Sequence, residues 1–94
     1  MNIDKSTKTI FEEIRDVLSG KIDKNTSAED IQTLLYEVGK NHQFENLKDF
    51  FKLVYQVLLG QDQGPRLGSF IKLYGVNETI KIIDQKLKNI DNVS

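Results

Sequence analysis

Cysteine and tryptophan are absent from this chain of 94 residues, which also has only one histidine, one methionine and one proline. The lack of cysteine excludes a disulfide framework, a thiolate zinc site and a cysteine nucleophile. The one histidine, His42, lies in a polar segment, and we expect it to be exposed at a helix end. With no second histidine beside it, we expect no metal site, and we also expect no cofactor.

Neither sign of charge is in excess, since 13 lysine and arginine residues face 14 aspartate and glutamate residues, giving a net charge of −1. Proteins that hold nucleic acid by bulk electrostatics are strongly basic, so nucleic-acid binding here requires a local cluster of cations. No apolar run is long enough to span a bilayer, and the first five residues lack the apolar stretch of a signal peptide. We therefore expect a cytoplasmic chain without membrane contact.

Apolar residues recur with helical spacing along nearly the whole chain. This periodicity predicts five helices, over about residues 7–19, 27–42, 47–59, 65–74 and from 76 onward. The predicted boundary residues are the N-caps Ser6, Thr26 (in a capping box with Glu29) and Asn46, Pro65 in a first turn, and the helix-ending glycines Gly20, Gly60 and Gly75.

The apolar stripe of the third predicted helix is wide, which is typical of a central, largely buried helix. It places Phe51 and Tyr55 in the core, whereas Tyr36 and Tyr74 are predicted to be half-buried with a hydrated hydroxyl. No run of alternating residues predicts a strand. We therefore predict an all-α fold, a compact bundle of about five short helices forming one domain over 1–94, with 1–5 and 91–94 frayed.

Catalytic motifs are missing from the chain. The acidic groups at 12–16 and 29–30 are predicted to lie on solvated helix faces. The glycines at 60, 64 and 68 do not form a phosphate-binding loop, because no strand precedes them and no Gly-Lys-Ser/Thr follows. We therefore expect that this chain alone is not an enzyme.

The least generic stretch covers residues 51–71: an apolar helix, a glycine-bounded loop, and a second helix with arginine at its start. Gly68 lacks a side chain one turn into that helix, which allows a neighbouring backbone or an RNA sugar-phosphate to approach closely. Arg66 can form forked hydrogen bonds to RNA, to an acidic side chain or to the carbonyls of the preceding helix. The Gly64-Pro65 pair also satisfies ordinary turn chemistry.

The order of these residues resembles the C-terminal end of class I lysyl-tRNA synthetases. Tyr55, the Leu-Leu-Gly of 58–60 and the Gly-Pro-Arg-x-Gly of 64–68 match that family's tyrosine-containing helix, polar loop and following helix. The matched structural motif consists of Gly60, Gly64, Pro65 and Gly68. The resemblance continues through 27–37 and loosely through 76–84, so that it covers most of the chain.

The resemblance implies an α-helical domain that packs against the anticodon arm of tRNA, with a lysine-accepting tRNA as partner. The chain lacks the nucleotide-binding domain and the His-x-Gly-His and Lys-Met-Ser-Lys-Ser motifs of that family's ATP-dependent lysine–tRNA ligation, so it is a fragment or a free-standing relative. Unpaired anticodon bases stack on aromatic rings while cations hold phosphates. The candidate RNA-binding residues are Arg66, Lys52, Gln61, Gln63, Lys72 and Tyr74.

A second interpretation is a small helical protein-interaction or immunity-type bundle that has kept the fold and lost RNA binding. The near-neutral charge favours this interpretation, and its partner is a protein. The Gly-Pro-Arg segment favours the tRNA-binding module of protein biosynthesis instead.

Overall fold

A computed structural model describes residues 5–42 and 44–93, with side chains up to residue 89. Within these ranges the chain forms five helices and no strand: α1 Lys5–Gly20, α2 Ala28–Asn41, α3 Leu47–Leu59, α4 Leu67–Tyr74 and α5 Val76–Val93. The predicted all-α fold is confirmed. The radius of gyration is 12.5 Å. That value matches the roughly 12 Å expected of a folded globule of this chain length.

Polar residues determine where α2 and α3 begin. The Ser27 hydroxyl accepts a hydrogen bond at 3.1 Å from a backbone N–H in the first turn of α2. The Asn46 side chain does the same for α3 at 2.9 Å, which confirms the predicted cap. The predicted cap at Thr26 is wrong by one residue, because its hydroxyl accepts instead from the Asp23 N–H within the preceding turn.

Two glycines at helix boundaries adopt positive φ. Gly60 has φ 70° and ends α3, as predicted, and Gly75 has φ 113° between α4 and α5. The first helix ends at Gly20, as predicted, but Gly20 has no positive φ and so does not end it in the left-handed conformation. Beyond it, the Lys21 N–H donates to the Val17 carbonyl at 2.9 Å, which extends the helical hydrogen-bond pattern of α1 by one residue.

The described residues at the two ends of the chain differ from the predictions. Lys5 is already helical, so Ser6 lies inside α1 and does not cap it. At the other end α5 is helical through 91–93, where fraying was predicted. The remaining predicted frayed residues, 1–4 and 94, lie outside the described ranges.

The core is built mainly around α2 and α5. Each of these two helices packs on α1, α3 and α4. Fully buried side chains come from every helix and include Phe11, Ile14, Leu18, Ile31, Leu35, Phe50, Val54, Leu67, Ile71 and Ile83. The third helix is less central than predicted: among the described helices α3 packs only on α2 and α5, and Phe51 and Tyr55 are half-buried residues that pack against the edge of the core.

His42 is less exposed than predicted. It is the C-cap residue of α2, and its side chain is 20% exposed. Its Nε2 lies 3.4 Å from a carboxylate oxygen of Glu13 on α1, but the alignment does not make a hydrogen bond. The pair is therefore a side-chain contact between α1 and the end of α2. Within the described ranges no His, Cys, Asp and Glu cluster could hold a metal, and no helix is long and apolar enough to cross a membrane.

Candidate nucleic-acid interface

A groove of ≈ 660 Å³ lies along the outer side of α3, bounded by α2 and by the loop that leads to α4. Three aromatic side chains line it, from Tyr36, Phe51 and Tyr55. Three cationic side chains also line it, from Lys48, Lys52 and Arg66. We name it the α3 groove. The combination of ring faces and cations in one concave surface is what single-stranded nucleic acid requires.

The helical repeat of α3 explains why cations and rings alternate there. Lys48, Phe51, Lys52 and Tyr55 are spaced by three and four residues, so they share one face of the helix. Both lysines are exposed, and neither side chain has an ion-pair partner among the described residues. Like charges one helical turn apart repel each other. A bound phosphate would relieve that repulsion.

The aromatic rings of the groove are held in fixed orientations. Tyr36 is 38% exposed, and its ring meets that of Phe51 edge to face, with centroids 5.0 Å apart at 80°. Phe51 in turn meets the buried Phe50 at 5.1 Å and 73°. Rings placed by this chain of contacts retain part of their surface in water. The groove thus offers apolar surface on which a planar base can stack.

Tyr55 holds the loop between α3 and α4. Its hydroxyl donates to the Pro65 carbonyl at 2.8 Å. Its ring packs against Gly64, where an added Cβ would lie 3.0 Å from a ring carbon. Because α4 begins at Leu67, Pro65 lies in the loop before this helix, and the prediction that it occupies the first turn is wrong. Gly64 and Pro65 therefore contact Tyr55 directly in addition to forming a turn.

Side-chain amides stabilise the rest of this loop. The Gln56 amide donates to an Asp62 carboxylate oxygen at 2.7 Å, and the Gln61 amide donates to the Gln63 carbonyl at 2.6 Å. Asp62 and Gln63 line the α3 groove. The first bond connects the loop to α3 and the second holds the loop backbone, so both help to fix one wall of the groove.

Burial raises the pKa of the Tyr55 phenol above its ordinary value of 10.0. Replacing Tyr55 with phenylalanine should lower the free energy of unfolding by about 0.5–1.5 kcal/mol at neutral pH, because the Pro65 carbonyl loses its donor. The folded pKa is the higher one, so this stabilisation is complete below the unfolded pKa and is lost as pH rises through the folded pKa. Urea unfolding at neutral and strongly alkaline pH should show the difference between the two proteins shrinking. A constant difference would contradict the assignment.

The start of α4 lies directly against the start of α2. A Cβ on Gly68 would overlap the carbonyl oxygen of Ala28, so the neighbouring backbone that the missing side chain admits is that of α2. The Gly68 N–H donates to the buried Gln32 side chain at 2.7 Å, which satisfies a free donor of the first turn of α4. At the same junction Arg66 Nη2 lies 3.1 Å from a Glu29 carboxylate oxygen.

The structure brings together only some of the predicted site residues. Lys52, Gln63 and Arg66 line the α3 groove, and Gln61 is hydrogen-bonded to its wall. Lys72 does not line it, because its amine donates to the carbonyls of Thr26 at 2.6 Å and Lys24 at 3.3 Å. Tyr74 does not line it either, and its ring stacks on Phe70 at 5.2 Å near the end of α4.

Sequence reasoning missed Lys48, Tyr36 and Phe51 as groove residues. Lys48 was detectable, because it lies one turn before Lys52 and two residues after the correctly predicted cap of α3. The two aromatic residues could not be detected, because apolar residues at helical spacing look the same whether they face the core or a groove.

Comparison with curated proteins finds relatives that are about half identical to this chain. The lysine–tRNA ligase of Rickettsia felis is 52% identical over 80 residues, that of Rickettsia prowazekii 48% over 85, and that of Rickettsia akari 54% over 78. This chain is related to one segment of lysine–tRNA ligase. The predicted relationship to lysyl-tRNA synthetases is thereby confirmed.

The similarity to lysine–tRNA ligase covers most of this chain and little of the relatives. It spans 85% of the chain and 15% of the Rickettsia felis protein, and 90% and 16% in the Rickettsia prowazekii comparison. The chain spans about 15% of the length of the curated relatives that it matches. No family profile and no solved structure matches it.

Proposed function

We propose that this chain is a non-catalytic tRNA-binding module. In this proposal it corresponds to the C-terminal, anticodon-binding domain of class I lysyl-tRNA synthetases and contacts the anticodon arm of a lysine-accepting tRNA in the cytoplasm. The observation that supports it best is that a segment about half identical to lysine–tRNA ligases carries two unpaired lysines beside partly exposed aromatic rings in one groove.

The chemistry of the groove suits an unpaired nucleotide. Lys48 and Lys52 would hold a phosphate between them, which removes their mutual repulsion. A base would stack beside Tyr36 and Phe51, while the Gln63 side chain would read its hydrogen-bonding edge. Because only a few cations take part, binding of this kind is compatible with a net charge of −1.

Lys72 and Tyr74 lie outside the surface we propose for RNA. The Lys72 amine already serves two backbone carbonyls of the turn between α1 and α2, and losing it would disturb the fold. Gln61 contributes indirectly, by fixing the backbone of Gln63. The RNA-contacting set in this proposal is accordingly Lys48, Lys52, Gln63 and Arg66, with Tyr36 and Phe51.

Replacing Lys52 with alanine should weaken binding to a fluorescein-labelled lysine-accepting tRNA by about three- to tenfold at low salt, since one phosphate contact is lost. The slope of log affinity against log salt should become shallower by about 0.7 for each lysine removed, so that Lys48→Ala with Lys52→Ala changes it by about 1.4. Fluorescence anisotropy between about 50 and 200 mM salt measures both quantities.

Lys88→Ala is the matched control for this experiment. It removes the same charge from an exposed position on α5, a helix that does not line the α3 groove. We expect it to leave the affinity and the salt slope nearly unchanged. Equal losses in Lys52→Ala and Lys88→Ala would show that binding follows net charge and not the groove, and no tRNA binding by the wild type at low salt would refute the proposed function.

One observation favours the alternative of a protein-interaction bundle. Leu73 is 91% exposed, and the neighbouring Tyr74 is 47% exposed, so an apolar surface remains uncovered near the end of α4. A surface of this size is small compared with stable protein–protein interfaces. We therefore rank this function second, as the interpretation to adopt if tRNA does not bind.

A further inference from the structure

We infer that Glu29 opposes RNA binding by occupying the guanidinium of Arg66 in the free protein, and that a phosphate displaces it when RNA enters the α3 groove. The inference rests on the proposed function and adds to it a residue that sets the affinity. In this scheme Arg66 changes partner on binding, from the Glu29 carboxylate to an RNA phosphate. No covalent bond changes.

The contact between the two side chains is well suited to exchange. A single approach of 3.1 Å joins Arg66 Nη2 to one Glu29 oxygen, and the two side chains are 54% and 75% exposed. Exposed ion pairs contribute little to stability, so separating this one costs little. A guanidinium has five N–H donors in a planar fork, and a phosphate can engage two of them at once. The Glu29 carboxylate engages one of these donors here, so a phosphate that engages two would replace a single contact with a stronger one.

The position of both residues is fixed by the backbone beneath them. Gly68 admits the Ala28 carbonyl, and the Gln32 side chain accepts a hydrogen bond from the Gly68 N–H. The first turns of α2 and α4 are therefore held together whether or not the ion pair forms. Arg66 also lines the α3 groove, the surface proposed for RNA.

Glu29 remains near the groove after it is displaced. It lies in the first turn of α2, where the helix dipole favours a negative charge. Its carboxylate would then lie close to the phosphate bound by Arg66 and repel it. Glu29 thus lowers affinity in two ways, by competing for Arg66 in the free protein and by repulsion in the complex.

The test measures anisotropy of labelled lysine-accepting tRNA with Glu29→Gln at low salt. The variant should bind about two- to fivefold more tightly than the wild type, the range that corresponds to an exposed ion pair. Asp30→Asn is the matched control, since it removes a neighbouring charge in the same turn of α2 from a side chain with no Arg66 contact in the described structure. Its gain should be clearly smaller.

Two further variants separate exchange from bulk charge. Combining Glu29→Gln with Arg66→Gln should leave a clearly smaller gain, because no guanidinium remains to be released and only the charge repulsion is removed. Glu29→Asp keeps the charge and the favourable helix-dipole interaction but shortens the side chain, and it should also bind more tightly than the wild type. Circular dichroism melting verifies that each variant is folded.

The outcomes are distinguishable. If the wild type binds and neither Glu29→Gln nor Glu29→Asp binds more tightly, the exchange is wrong while the tRNA-binding function stands. The same gain from Glu29→Gln in the Arg66→Gln background also overturns the exchange, because Glu29 would then act through its charge alone. If the wild type does not bind tRNA, the function and the exchange fail together.

Discussion

Replacing Gly68 with alanine should lower the free energy of unfolding by about 2–4 kcal/mol, the range expected when overpacking also breaks a buried hydrogen bond. The added Cβ would overlap the Ala28 carbonyl oxygen. The oxygen belongs to the backbone of α2 and the position of the Cβ is fixed by the backbone of α4, so neither atom can move aside by a rotamer change. The strain has to be relieved by moving α4 away from α2.

That movement would break a second interaction at the same place. Gln32 is only 6% exposed, and its side-chain oxygen accepts from the Gly68 N–H at 2.7 Å. Once the helices separate, both polar groups are left without their partner in a poorly hydrated position. Small domains of this length have about 5–14 kcal/mol of stability in total, so the substitution should remove a large share of it.

Urea unfolding measures the effect, and Gly20→Ala provides the control. Gly20 lies at the end of α1 without positive φ, and an added Cβ there would meet nothing within 4 Å. The same chemical change should therefore be neutral or slightly stabilising, by up to about 1 kcal/mol. If Gly68→Ala were as stable as Gly20→Ala, the close packing of α2 on α4 would be wrong.

Local features of the sequence were sufficient to predict the helices. The apolar spacing gave five elements, and α3 has the predicted bounds because both of its ends are encoded nearby, by the Asn46 cap and the left-handed Gly60. The misplaced cap at Thr26 has the same local origin. Two adjacent hydroxyl residues compete there, and a hydrogen bond to the turn gives the role to Ser27.

Contacts between distant parts of the chain could not be predicted in this way. The sequence suggested that Gly68 admits a backbone, but not that the backbone is that of α2. It suggested an acidic partner or RNA for Arg66, but nothing pointed to Glu29, which lies 37 positions earlier. Lys72 similarly finds its carbonyl partners in the turn before α2. Each of these depends on how helices pack, which periodicity alone does not determine.

The adjacent residues Phe50 and Phe51 also look alike in the sequence, although only Phe50 is fully buried. Phe50→Ala should cost about 3–5 kcal/mol of folding stability, as truncation of a fully buried aromatic does. The Phe50 side chain is 0% exposed, and its ring centroid lies 5.5 Å from that of Phe44 and 5.1 Å from that of Phe51. Its ring also packs against Gly39, where there is no side chain. Urea unfolding measures the loss.

Phe51→Ala is the matched comparison, and it should give the opposite balance of effects. Its ring is half-buried in the α3 groove, so we expect a smaller stability loss of about 1–2 kcal/mol. If a base stacks there, tRNA affinity should fall by about 1–3 kcal/mol in anisotropy measurements made well below the melting temperature. A larger stability loss for Phe51→Ala than for Phe50→Ala would mean that α3 faces the core with its other side, and the groove with its lysines would then not exist.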